Sequence, residues 1–241
     1  MARHSHFHNI QLTKGKADAK RAKTFVKHVK SITAAAKEGG GDVAFNVSLR
    51  VAVDAARAAN MPKENIERAI ARGVGNTEGG EQIEEVIYEG FGPGGIAFLV
   101  VCLTDNRNRS VTEVRTTIQK NGGNVAGQGS VAWMFEKKGV IVIEDAGQIK
   151  DRDGFELAVI DAGAEDLEEQ AGAIQIITPV SSFKAVFDAI DKLGIKPDAG
   201  SLAYLAKDPV EVSEEDAELM QTLVTKLEAL DDVDTVYTNE Q

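Results

Sequence analysis

Between residues 73 and 82 the chain reads Gly-Val-Gly-Asn-Thr-Glu-Gly-Gly-Glu-Gln, and no regular element can run through it. Glycines without a hydrophobic period read as a linker or hinge. The charge changes sign there. Residues 1–79 hold 14 Lys and Arg against 7 Asp and Glu, and residues 80–241 hold 13 against 31. A segment of net charge +7 therefore precedes one of −18, which the overall −11 conceals. Such a split predicts two jobs, a basic part that meets a polyanion and an acidic body.

The hydrophobic period changes at the same place. Before it, Ala22, Phe25, Val26, Val29, Ile32 and Ala36 repeat at three- and four-residue steps, which predicts a helix from Ala17 to Glu38. Gly39-Gly40-Gly41 closes it. A second helix is expected from Asn46 to Ala59. A third starts at Pro62, where proline suits the first turn, and stops at Gly73. Together they make a small basic helical domain, residues 1–80.

After the linker the pattern is α/β. Strands are expected at Ile83–Glu89, Ile96–Leu103, Val131–Phe135 and Val140–Ile143, the last two separated by the polar break Glu136-Lys137-Lys138-Gly139. A helix from Ser110 to Lys120 opens on a Ser110/Glu113 capping-box spacing. Residues 139–206 continue as strand, helix (152–162), strand near Leu167, strand (173–178), helix (181–193) and strand (201–205), the split βαβ order of a ferredoxin-like domain. A helix from Ser213 to Leu230 and a strand from Val233 to Tyr237 remain to complete the earlier unit. The predicted fold is α+β: three N-terminal helices, then two ferredoxin-like α/β domains. The middle domain is discontinuous (81–138 plus 207–241), with 139–206 inserted into it.

Several function classes fall away. The longest apolar run, Ile96–Leu103, is under half of the ~20 residues a membrane-spanning helix needs, and the N-terminus has no apolar signal core. A soluble cytoplasmic protein is expected. One cysteine, Cys102, allows no disulfide framework, and its apolar surroundings suit a buried structural thiol. No histidine lies beyond residue 28, so no Ser–His–Asp or Cys–His site fits the body. Glu168/Glu169 and Asp231/Asp232 read as solvated ends of elements. Gly90 to Gly95 matches G-x-G-x-x-G literally, but a dinucleotide site needs a helix after the loop and here a strand follows. His4, His6 and His8 alternate, so an extended chain would project all three to one side as a metal site needs, but a mobile tail is the expected reading. Neither a cofactor nor a metal site is expected.

The nucleic-acid signal is in the first helix. Lys16, Lys20, Lys23, Lys27, Lys30 and Lys37 fall on one arc, opposite the apolar stripe, at ~100° per residue. With Lys14 and Arg21 they form the candidate contact set. Lysine is a flexible point charge suited to phosphates, not to bidentate reading of bases. Arg107 and Arg109, in the loop Thr104–Ser110 before a helix N-terminus, are the second candidate contact.

Several stretches resemble the YebC family: Gly39–Asp42, Asn60–Ile66, Glu89–Gly95, Leu103–Arg109, Gly122–Asn124, Gly129–Val131 and Phe135–Gly139. They cover nearly the whole chain in order. The resemblance implies three domains, no enzymatic activity, and a role as a transcriptional regulator that binds DNA. It also implies an alternative, since relatives in bacteria and mitochondria act in translation at ribosomes, where the same lysine face would grip ribosomal or transfer RNA and the acidic domains would meet proteins. The N-terminus departs from the family's His-Ser-Lys-Trp, followed by Ile and a basic cluster. Here it reads His4-Ser5-His6-Phe7, then Ile10-Gln11-Leu12-Thr13-Lys14. The family match from residue 1 leaves no room for an organelle presequence and fits a bacterial protein.

Overall fold

The computed structural model describes residues 19–75 and 83–240. Three helices come first: α1 (Ala19–Gly39), α2 (Val47–Ala58) and α3 (Lys63–Gly73). Asn46 caps α2 by accepting from the Leu49 amide at 3.0 Å. Its side-chain amide donates to the Ala35 and Gly40 carbonyls, both at 2.8 Å, and so ties α2 to the end of α1. Ile32 and Ala36 meet Leu49, Val53, Ala56, Met61, Ile66 and Ala69 in a small core. α3 starts one residue after the expected Pro62, which stands at its N-cap.

The body holds two antiparallel sheets. The first has strand order β3-β1-β2-β8 and the second β5-β6-β4-β7. Their strands are β1 (Glu84–Phe91), β2 (Ala97–Thr104), β3 (Asn124–Val125), β4 (Phe135–Ile143), β5 (Asp166–Gln170), β6 (Ala173–Pro179), β7 (Ala199–Ala206) and β8 (Val233–Thr238). The body helices are α4 (Arg107–Lys120), α5 (Arg152–Asp161), α6 (Phe183–Lys192) and α7 (Glu214–Glu228). β4-α5-β5-β6-α6-β7 has the order and pairing of a ferredoxin-like unit. The chain then returns, and β8 pairs with β2.

The fully buried β2 follows from the layering. Phe98, Val100 and Cys102 face α4 and α7, meeting Val114, Ile118, Leu223 and Leu227. Ala97, Leu99 and Val101 face the second sheet, meeting Val140, Val142 and Ala203. On the far side of that sheet Ile141, Ile143, Ile174 and Ile176 lie under Phe155, Val159, Phe183 and Ile190 of α5 and α6. The body is thus helix, sheet, sheet, helix. Each central strand buries both faces, so its sequence shows an apolar run in place of alternation.

Three local expectations change. Val131–Phe135 is not a strand: Ala132–Met134 form a 3-10 turn. The polar break 136–139 is not a break either, because β4 runs unbroken from Phe135 and Glu136, Lys137 and Lys138 pair with Leu205, Tyr204 and Ala203 of β7. Gly139 stays within the strand because Phe183 and Thr178 occupy the space a side chain would need. Finally, α4 starts at Arg107, capped by Asn106 on the Arg109 amide at 3.1 Å. Ser110 is a buried polar contact and not a cap. Within Gly90–Gly95 the first two residues end β1 and Gly92–Gly95 make the tight connection to the antiparallel β2, so no dinucleotide-binding turn exists there. Linker residues 76–82 lie outside the described residues.

Candidate nucleic-acid interface

α1 has one flank in the small helical core. Its opposite flank, which the periodicity marks for solvent, partly docks on the body. Lys27 donates to the Glu228 carbonyl at 2.6 Å and Lys30 to the Asp231 carbonyl at 2.9 Å. These carbonyls lie at and just beyond the C-terminus of α7, where the last carbonyls have no helical partner and the helix dipole is negative, so ammonium groups are the natural cap. Ser31 donates to Asp234 at 3.0 Å, and the exposed Lys37 donates to the Ile83 carbonyl at 3.1 Å. Burial pulls the Lys27 ammonium below its ordinary range, against the opposing pull of Asp234, Glu228 and Asp231. Burial likewise lowers His28.

Asp232 organises this joint. It is 2% exposed, where the sequence suggests a solvated acid. One oxygen meets Lys30 Nζ at 2.5 Å and Arg109 Nη2 at 2.8 Å. The other accepts from Arg109 Nε at 3.0 Å, Ser110 Oγ at 2.8 Å and Thr104 Oγ1 at 3.1 Å. Burial alone would raise this carboxyl. The hydrogen bonds from Arg109, Lys30 and Ser110 outweigh it and hold the group far below the usual carboxylate range. One carboxylate therefore joins α1, β2, α4 and the segment before β8. Cys102 lies buried in the same strand as Thr104, and desolvation pushes its thiol up to about 12, as expected of a structural cysteine.

The eight cationic side chains of the candidate contact set divide accordingly. Lys27 and Lys30 are spent on the body, and Lys37 is exposed but bonded to a carbonyl. Lys20, Arg21 and Lys23 stand on the first turns of α1. Lys14 and Lys16, like His4, His6 and His8, lie outside the described residues. Of the second pair, Arg109 is committed to Asp232 and Asp105, so it is part of the joint. Arg107 is 66% exposed and pairs with Glu84 at 2.7 Å, a surface pair of little energetic weight. The structure brings Lys27, Lys30 and Arg109 together around the segment 228–232, and Arg107 stands apart from them.

A second polar construction escaped sequence reading. Glu89 of β1 is 5% exposed and accepts three backbone amides: Gly129 at 2.6 Å, Val131 at 2.6 Å and Ala132 at 2.8 Å. Desolvation raises its carboxyl, but these amides outweigh it and keep the group ionised below its ordinary range. The available signal is a carboxylate closing the expected strand Ile83–Glu89. Among the described residues no group of His, Cys, Asp or Glu could hold a metal ion. No described helix is long and apolar enough to cross a membrane.

Comparison with known proteins places this architecture. The family model for the TACO1/YebC N-terminal domain matches residues 5–76, and the model for the TACO1/YebC second and third domain matches residues 83–240. A "probable transcriptional regulatory protein" of Caldanaerobacter subterraneus subsp. tengcongensis is 47% identical over 239 residues, covering 99% of this chain and 98% of its own. One so named from Geobacter sulfurreducens is 46% identical over 241 residues, covering 99% and 95%. The crystal structure of a conserved hypothetical protein from Aquifex aeolicus superposes with a TM-score of 0.84 at 40% identity, over 98% of this chain and 97% of that one. The chain belongs to the TACO1/YebC family.

Proposed function

We propose that this family member is a non-enzymatic regulator of gene expression that binds DNA through the basic end of α1 and the residues before it. The observation that carries the reading is the partition of the lysine row. The C-terminal half of the row caps α7 and holds Asp232. The phosphate contact then falls to Lys14, Lys16, Lys20, Arg21 and Lys23, with Lys37 at the margin. The body, at −18, disfavours polyanions over most of its surface, so the main phosphate contact is at that end. The contact set is dominated by lysines, point charges suited to phosphate, so binding is mainly to the backbone. The transcriptional and translational readings differ in their polyanion: duplex DNA for the first, structured RNA for the second.

The test is binding of the full chain to labelled duplex DNA across a salt series, beside co-sedimentation with ribosomes. Five phosphate contacts predict a slope of about −4.5 in log K against log salt, a loss of roughly 500-fold between 50 and 200 mM. Retention on ribosomes at physiological salt, with only weak and sequence-blind DNA binding, would move the assignment to translation. Salt-independent binding would refute phosphate contact.

A further inference from the structure

The chain holds one tryptophan, Trp133, and it is 64% exposed. A strand over 131–135 would have put Val131, Trp133 and Phe135 on one buried face. The 3-10 turn separates them: Val131 and Phe135 stay buried at 0% and 4%, while the indole between them is turned outward. Burying a side chain of this size stabilises a fold by several kcal/mol, so leaving it outside forgoes a large gain.

The exposure is built, not incidental. Val131 and Phe135 anchor the turn on both sides. The Glu89 carboxylate clamps Gly129, Val131 and Ala132 from beneath through three amides. Gly129 takes φ 83°, a conformation that favours glycine and lets the loop fold back over that carboxylate. The indole Nε1 donates to the Ser130 carbonyl at 3.0 Å. Its polar edge is thus satisfied within the loop, and what it has to offer a partner is the ring face. The backbone amide of Lys207, an exposed residue, donates to the Met134 carbonyl at 2.9 Å and ties its segment to the turn.

We propose that the loop 126–134 is a base-stacking platform, in which Trp133 receives an unpaired nucleobase and Lys207 meets the flanking phosphate. A rigid, outward aromatic face on a loop hydrogen-bonded to a lysine-bearing segment suits sequence-tolerant single-strand contact. The platform sits on the body, away from the lysine row in sequence, and gives the molecule a second handhold on the same polymer. The inference rests on the nucleic-acid reading above and adds its single-stranded component. It also explains why a buried carboxylate is devoted to the shape of a surface loop.

Because there is one tryptophan, its fluorescence reports this site alone. The full chain is titrated with unlabelled oligouridylate and, separately, oligothymidylate, while total binding is followed by the anisotropy of labelled versions of both. Stacking predicts quenching of Trp133 that tracks binding. Trp133→Ala should weaken binding by roughly 5- to 150-fold, the range for one stacked base. Trp133→Phe should recover part of that loss and Trp133→Leu none, which separates stacking from mere apolar contact. Lys207→Ala should lower the salt slope by about one. Preference between the two oligomers decides whether the strand is RNA or DNA. Binding without quenching, and unchanged in Trp133→Ala, overturns the platform and leaves the lysine contact standing. Quenching by a proline-rich peptide and not by either oligomer overturns it in favour of a protein partner. Absence of binding to any nucleic acid removes both readings together.

Discussion

Asp232→Asn is the substitution that probes the joint between α1 and the body most sharply. In the native protein this 2%-exposed carboxylate faces Lys30, itself 8% exposed, and Arg109. Amide replacement removes the charge and leaves the Lys30 ammonium buried without its counter-ion. Removing one partner of a buried pair costs about 3–5 kcal/mol. In a chain of this size that lowers the melting temperature by roughly 6–20 °C. The loss should concentrate in the docking of α1, so limited trypsin digestion should release the N-terminal segment faster from the variant. The pH dependence has a definite sign. The folded carboxyl titrates below the unfolded value of ~3.9. Its contribution is therefore complete above pH ~4 and is lost as pH falls through the folded value. The gap in melting temperature between wild type and variant should be full at pH 7 and shrink progressively below pH 4. A variant that melts within 1–2 °C of wild type at pH 7, with unchanged proteolysis, would refute the view that this carboxylate holds the joint.

Other outcomes follow from the same structure. Glu89→Ala orphans three backbone amides and should cost about 2–4 kcal/mol, seen as a lower melting temperature together with a changed Trp133 emission. Gly139→Ala forces a methyl to within 2.5 Å of Phe183 and Thr178 and should destabilise by about 1–3 kcal/mol in chemical denaturation. Cys102, with its thiol held at about 12, should resist alkylation at pH 8 in the native protein and react promptly in denaturant. Fast native labelling would contradict its burial.

Much of the architecture was legible because the period of apolar residues reports on burial. β2 reads as an unbroken run because it is sandwiched, and α1 reads as amphipathic because one flank fills the helical core. The misreadings share a cause. A lysine at helical spacing signals a polar neighbour without saying whether that neighbour is water, phosphate or a carbonyl. Lys27 and Lys30 found the exposed carbonyls at the end of α7, about 200 residues away in sequence, and no local pattern announces such a meeting. Asp232 reads as a solvated acid for the same reason. Val131–Phe135 reads as a strand because a two-residue alternation does not reveal a 3-10 turn inside it. The Glu89 clamp of that loop shows in the sequence only as a carboxylate at the end of the expected strand Ile83–Glu89.

The central claim is that the N-terminal end of the lysine row grips phosphate while the C-terminal end grips the body. It is tested most directly by comparing Lys20→Glu/Lys23→Glu with Lys30→Glu in the full chain, measuring DNA affinity at low salt and thermal stability on the same samples. The first variant should melt like wild type and lose at least 100-fold in affinity, as expected when about two phosphate contacts become repulsions. The second should melt several degrees lower because it sets a carboxylate against Asp232. If Lys20→Glu/Lys23→Glu binds nucleic acid as tightly as wild type, the phosphate contact lies elsewhere and the account is wrong.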